Sequence, residues 1–198
     1  VDAAGAFLSI ITNLGDAGFL LPASFALGVV LWLSADRRTA IAFACAFSAC
    51  VGATMLAKVA FMTCAGHWAV AAIHSPSGHA SLATMFFLSL GLVGARSGNR
   101  LLGRTLLPIC LLLVALIAAS RIALGAHTAA ETLAGAVVGV ACFGVFWRFA
   151  SLHLAVRAPA LAFGLAPLVV AYVAFGAHVG IEDWLERIAA WLAQRLTC

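Results

Sequence analysis

Ala40 to Thr63 reads AIAFACAFSACVGATMLAKVAFMT, a run of apolar and small residues broken by one charge, Lys58. At ~1.5 Å per residue a helix of this length reaches roughly 36 Å, enough to cross a ~30 Å hydrocarbon layer. Similar runs flank it on both sides: Ala17 to Ala35, His79 to Ala95, Thr105 to Ala119, Thr128 to Trp147 and Pro159 to Ala177. The expected fold is therefore all-α, a polytopic transmembrane helix bundle of five to six spans, and residues 1–198 form a single domain. The runs from His79 and Thr105 are short for a crossing, so both are expected to begin or end in protein-lined space. Ala3 to Asn13 is apolar but brief, which suits an interfacial or re-entrant piece. At the other end Ile181, Trp184, Leu185, Ile188, Trp191 and Leu192 recur at helical spacing, with Glu182, Asp183, Glu186, Arg187 and Arg195 between them. That pattern predicts a C-terminal helix lying along the membrane surface.

Composition agrees, since 65% of the residues are hydrophobic and 9% charged, too few polar groups to cover a water-soluble globule. The net charge of +4 does not point to nucleic acid, because the basic residues sit in short clusters between apolar runs. No Lys or Arg precedes an early apolar stretch, so insertion is expected to come from the helices themselves. Cys45, Cys50, Cys64, Cys110, Cys142 and Cys198 form no CxxC pair and read as small hydrophobes without assigned chemistry.

Arg37 and Arg38 follow the first run, Arg96, Arg100 and Arg104 the third, and Arg148 and Arg157 the fifth. Alternate loops are thus basic, and the positive-inside rule places them in the cytoplasm. Lys58 and Arg121 are left on the side expected to face outward, where His67, His74, Ser75, Pro76, Ser77, Gly78, His79, Ser120, His127 and Glu131 also gather. Charges at membrane depth are costly, so their concentration near one surface marks a functional site.

If Ser75 caps a helix that starts at Pro76, the first-turn amides and the helix dipole face outward, and Gly78 admits an anion close to the backbone. His79 follows, placed to exchange a proton with the bound group. His127 and Glu131 stand four apart on one helix face, so the carboxylate can take one ring nitrogen and leave the other as a nucleophile. Arg121 adds a planar fork suited to phosphate oxygens and Lys58 a second positive charge. These parts meet the electrostatic needs of phosphoryl transfer. His74, His153 and His178 read as structural, and Gly135 and Gly139, a GxxxG pair, as helix-packing contacts.

Pro76, Ser77, Gly78, His79 is similar to the central PSGH motif of the type 2 phosphatidic acid phosphatases, the PAP2 superfamily. Ser120, Arg121, then His127 and Glu131 at the observed intervals resemble its SRxxxxxHxxxD motif. The resemblance extends over Ala17 to Ala177 and is to compact bacterial members, in a divergent branch lacking the first-motif Arg-Pro. It implies a metal-independent phosphatase without cofactor: His127 attacks phosphorus, Glu131 orients it, His79 protonates the leaving oxygen, and Lys58, Ser77, Gly78 and Arg121 hold the phosphate. The implied partner is a lipid phosphate entering from the bilayer, such as a phospholipid phosphate or undecaprenyl diphosphate, with the site facing the periplasm of a bacterial inner membrane. Non-hydrolytic lipid-phosphate binding or transport, and phosphotransfer to another lipid or sugar, are the alternatives.

The chain departs from the family pattern twice. After Lys58 the first-motif Arg-Pro positions hold Ala65 and Gly66, with His67 next, and Glu131 stands where the family has Asp. Glu keeps the carboxylate and lengthens its reach.

Overall fold

A computed structural model describes residues 3–64, 74–97, 99–150 and 181–195. Those residues form seven helices: α1 (Ala3–Asn13), α2 (Ala17–Ser34), α3 (Arg37–Cys64), α4 (Gly78–Ala95), α5 (Arg100–Ala123), α6 (Ala129–Ala150) and α7 (Ile181–Ala193). The all-α expectation holds. Four of these helices, α3 to α6, are long and apolar enough to cross a membrane, and α1 with α2, bent by 43° at their junction, make a fifth crossing if counted as one broken span. The chain is a membrane protein of the polytopic helical kind. The run from Pro159 to Ala177, like His67, His153 and His178, lies outside the described residues.

α4 is the axis of the bundle. It packs most extensively on α5 and α6, and also meets α2 and α3, and it is far more buried than α3, α6 or α5. The short run at His79 was expected to lie against protein, and it does. The expectation for the run at Thr105 is corrected: α5 starts five residues earlier, at Arg100, and is the least buried of the four. Asn99 explains the early start, because its side chain accepts hydrogen bonds from the amides of Leu101 and Leu102 at 3.0 and 3.1 Å and so nucleates a turn through a charged stretch.

Close approach of α4 and α6 depends on the GxxxG glycines. A Cβ on Gly135 would overlap the Ser77 carbonyl oxygen, and one on Gly139 the Ser81 carbonyl oxygen. The packing role read from the sequence is the one these glycines have. Beneath this contact Thr54 and Cys50 of α3 hydrogen-bond the buried Ser81 hydroxyl of α4, which ties three helices together at one end. At the opposite end lie Arg37, Arg38, Arg96, Arg100 and Arg148, where α3 and α5 begin and α4 and α6 finish.

α7 is too short to cross. Leu185 and Ala189 are buried against α3, while Trp184, Ile188 and Trp191 form an exposed apolar stripe. Arg187 and Arg195 lie over the Trp184 and Trp191 rings at 5.6 and 4.3 Å, an arrangement suited to the headgroup layer. Among the cysteines, Cys45, Cys50, Cys110 and Cys142 are free thiols. Cys64, at the end of α3, is disulfide-bonded, which corrects the reading of all six as inert hydrophobes.

Candidate functional site

The polar end of the bundle is assembled from four short structures, each with a local cause. The first is the end of α5. Gly125 has φ +66°, its amide bonds the Ile122 carbonyl at 3.0 Å, and the Ala126 and His127 amides both return to the Arg121 carbonyl at 3.1 and 3.2 Å. This is a Schellman-type helix stop, which turns on a residue able to adopt the left-handed conformation. It brings the chain back over Arg121 and so sets the interval between Arg121 and His127.

The second structure is the start of α6. Thr128 Oγ1 accepts from the Glu131 amide at 3.2 Å, and Glu131 Oε2 accepts from the Thr128 amide at 2.9 Å. Thr128 and Glu131 thereby make a capping box. The same Oε2 lies 3.2 Å from His127 Nδ1, so that nitrogen faces the carboxylate and Nε2 points away from it. Oε1 accepts from the amides of His74 and Ser75 at 2.8 and 3.1 Å. One carboxylate thus holds His127, closes the α6 terminus and anchors the loop before α4.

The third is that loop and the start of α4. The Ser77 amide donates to the Glu131 carbonyl at 3.0 Å, and the Ser77 side chain accepts from the Ala80 amide at 3.4 Å. Ser77 therefore caps α4 and Gly78 is its first residue. The expected cap at Ser75 is displaced by two residues, because Glu131 takes the Ser75 amide and Pro76 lies ahead of the helix. Ser77 is wholly buried. Lys58 is also buried, and a Cβ on Gly78 would meet its Cε at 3.5 Å and its Nζ at 4.0 Å. The ammonium thus stands beside the α4 N-terminus, whose first-turn amides and dipole favour an anion.

The fourth structure, the corner between α1 and α2, was not read from the sequence. Asp16 caps α2 through Oδ1, 2.7 Å from the Gly18 amide, and its Oδ2 lies 3.6 Å from His79 Nε2. Thr12 Oγ1 accepts from Arg121 Nη1 at 3.0 Å. No spacing rule links residue 12 to 121 or 16 to 79. The one signal was Asp16 standing immediately before an apolar run, where it marks a helix cap.

Lys58, Ser77, Gly78, His79, Arg121, His127 and Glu131 thus all lie at this end of the bundle. Burial holds the His127 pKa below the ordinary value; the hydrogen bond to Glu131 opposes this, while the charges of Arg121 and Lys58 add to it. A neutral imidazole beside two cations and a helix N-terminus can bind an oxyanion and present a nitrogen to it. Residues 60–154 match the family model of the PAP2 superfamily. That stretch holds the two motifs quoted from the sequence, Pro76 to His79 and Ser120 to Glu131, while Lys58 and the α1–α2 corner precede it. Comparison with curated proteins and with solved structures gave no match. The PAP2 superfamily is one of phosphoester hydrolases, and among the described residues no group of His, Cys, Asp and Glu is arranged to hold a metal ion.

Proposed function

We propose that the protein hydrolyses a lipid-linked phosphate or diphosphate through a phosphohistidine intermediate at the outer face of a bacterial inner membrane. The observation that carries the reading is the double grip of Glu131, whose carboxylate holds His127 Nδ1 and the His74 and Ser75 amides at once. It fixes the attacking residue and the phosphate cradle in one frame, the pre-organisation that phosphoryl transfer requires.

In this mechanism the substrate phosphate lies on the Gly78 end of α4, with Ser77 shaping the turn and Lys58 and Arg121 neutralising its oxygens. His127 Nε2 attacks phosphorus, an N–P bond forms, and the bond to the lipid oxygen breaks. That oxygen keeps the electron pair and takes a proton from His79. Water then attacks the phosphohistidine, giving its proton to His79, and inorganic phosphate leaves. Lys58 and Arg121 supply the positive charge around the transferred group.

Outward orientation is supported by the arginine-rich opposite end and by the Cys64 disulfide, since disulfides persist on oxidising sides of membranes. Lateral entry of the lipid is supported by the site's position at the end of an apolar bundle. The family's first-motif arginine is replaced by Ala65 in this sequence, which favours lipid-phosphate binding without turnover as the second reading.

The test is phosphate release by the detergent-purified protein from phosphatidic acid, phosphatidylglycerol phosphate, polyprenyl diphosphate and a lipid A-type phosphate, alongside His127→Ala, with vanadate as competitor. Release that vanadate inhibits and His127→Ala abolishes supports the hydrolase. Turnover that requires an added lipid or sugar acceptor would assign phosphotransfer instead. Tight binding of one lipid without any release would favour the second reading.

A further inference from the structure

The α1–α2 corner lies outside the matched residues 60–154, yet it is fitted to the catalytic end at three points. Gly15 packs on the general-acid candidate so closely that an added Cβ would stand 3.3 Å from His79 Cβ and Cδ2, and 2.7 Å from Ile117 Cγ2. Asp16 uses one oxygen to cap α2 and turns the other toward His79 Nε2, 3.6 Å away. Thr12 holds the Arg121 fork through Nη1. A corner serving only to start α2 would need the cap alone. The 43° bend between α1 and α2 instead sets its side chains against both the acid and the phosphate-binding arginine.

We infer that Asp16 is a positioning residue for His79: its carboxylate fixes the ring and provides the anion against which His79 carries the proton that the leaving oxygen receives. This rests on the hydrolase reading and deepens it. At this separation an imidazolium and a carboxylate attract each other, and removing water strengthens the attraction. When the P–O bond breaks, the proton passes from His79 to the lipid oxygen and leaves a neutral ring beside Asp16. When water attacks the phosphohistidine, the ring takes a proton back and the ion pair is restored. Asp16 touches neither phosphorus nor the leaving oxygen, so its effect should scale with how much protonation the leaving group needs.

That scaling separates this role from mere capping. Asn caps helices about as well as Asp, so Asp16→Asn keeps the turn and removes the charge. The experiment compares kcat/KM of the wild-type protein and Asp16→Asn, in detergent, on dioctanoyl phosphatidic acid, a poor leaving group, and on para-nitrophenyl phosphate, a good one. The expected result is a loss of about 10- to 100-fold on the alkyl phosphate, up to the lower end of the roughly 10²- to 10⁴-fold of general acid catalysis because His79 itself remains, and of under about threefold on the aryl phosphate. Asp16→Ser, a second uncharged capping residue, should repeat the pattern. Equal losses on both substrates would assign Asp16 to folding alone, and no loss on either would remove it from the reaction; each overturns the inference while leaving the hydrolase standing. Failure of the wild-type protein to release phosphate from any substrate would instead overturn the hydrolase reading, and the inference with it.

Discussion

Glu131 meets four donors with two oxygens: the amides of His74 and Ser75 on one, the Thr128 amide and His127 Nδ1 on the other. An aspartate has the carboxylate but is one methylene shorter, so from the α6 backbone it cannot hold His127 and reach the loop before α4 together. Glu131→Asp is therefore expected to lower phosphate release by about tenfold or more, since a charge-assisted hydrogen bond contributes about 1.5–3 kcal/mol, even though Asp stands at this place in the motif that the sequence resembles. Steady-state rates on whichever lipid phosphate of the panel is hydrolysed would check this, and an unchanged rate would show that the loop anchor does not matter. His127 gives a second prediction at this scale. It must be neutral to attack, and burial, reinforced by Arg121 and Lys58, lowers its pKa. Deprotonation of His127 should switch activity on, and activity should fall as pH drops through that depressed value, so the acid limb of the kcat/KM profile is expected below the ordinary histidine value of ~6.5. An acid limb above it would contradict the assignment. The His127–Glu131 pair was legible in the sequence because residues four apart share a helix face. The carboxylate's grip on His74 and Ser75 was not, because no local pattern reports a contact across more than fifty positions.

Helix ends and helix contacts, more than helix interiors, place the site. The interval between Arg121 and His127 is the length of a Schellman stop plus the entry to a capped helix, and Gly125 is its pivot at φ +66°. Nothing lies within 4 Å of a Cβ placed there, so Gly125→Ala introduces backbone strain without a clash. It should cost about 1–2 kcal/mol, seen as a lower thermal midpoint in detergent, with a loss of activity as His127 shifts from Glu131. Gly135→Ala tests the other kind of constraint. Its Cβ would overlap the Ser77 carbonyl, pushing α6 from the cap of α4, and overpacking of this kind costs about 1–3 kcal/mol. Both stability and phosphate release should fall, and unchanged values for both would mean that the two helices stand further apart. The sequence revealed the GxxxG pair and the helix cores through periodicity. It misplaced the α4 cap because two serines flank Pro76 and either can cap; Glu131 decides between them by taking the Ser75 amide. It also began α5 late, because a charged stretch reads as loop when the cap at Asn99 is overlooked.

At the scale of the whole molecule one end is rich in arginine and the other carries Lys58, Arg121, His74, His79 and His127, and this polarity has a physical reason. Arginines at the ends of α3 to α6 sit where they resist transfer across the bilayer, while Lys58, buried, and Arg121, half-buried, gather at the opposite end. The span pattern was legible because twenty apolar residues in a row have few other uses. The α1–α2 corner was not, because its place beside His79 and Arg121 follows from how α1 meets α5 and α2 meets α4. Orientation can be tested directly by introducing a cysteine at each end: Asp36→Cys beside the α3 arginines, and Ala126→Cys in the exposed turn after α5. In intact bacterial cells a membrane-impermeant maleimide is expected to label Ala126→Cys, and Asp36→Cys only after the inner membrane is opened. The parent protein sets the background, to which the free thiols Cys45, exposed, and Cys142, half-buried, contribute, while Cys64 is already bonded and Cys50 and Cys110 are buried. The reverse pattern would put the site in the cytoplasm, on the reducing side where a disulfide at Cys64 would not persist. Labelling and disulfide state therefore answer to one topology, and agreement between them is required if the outward-facing reading is correct.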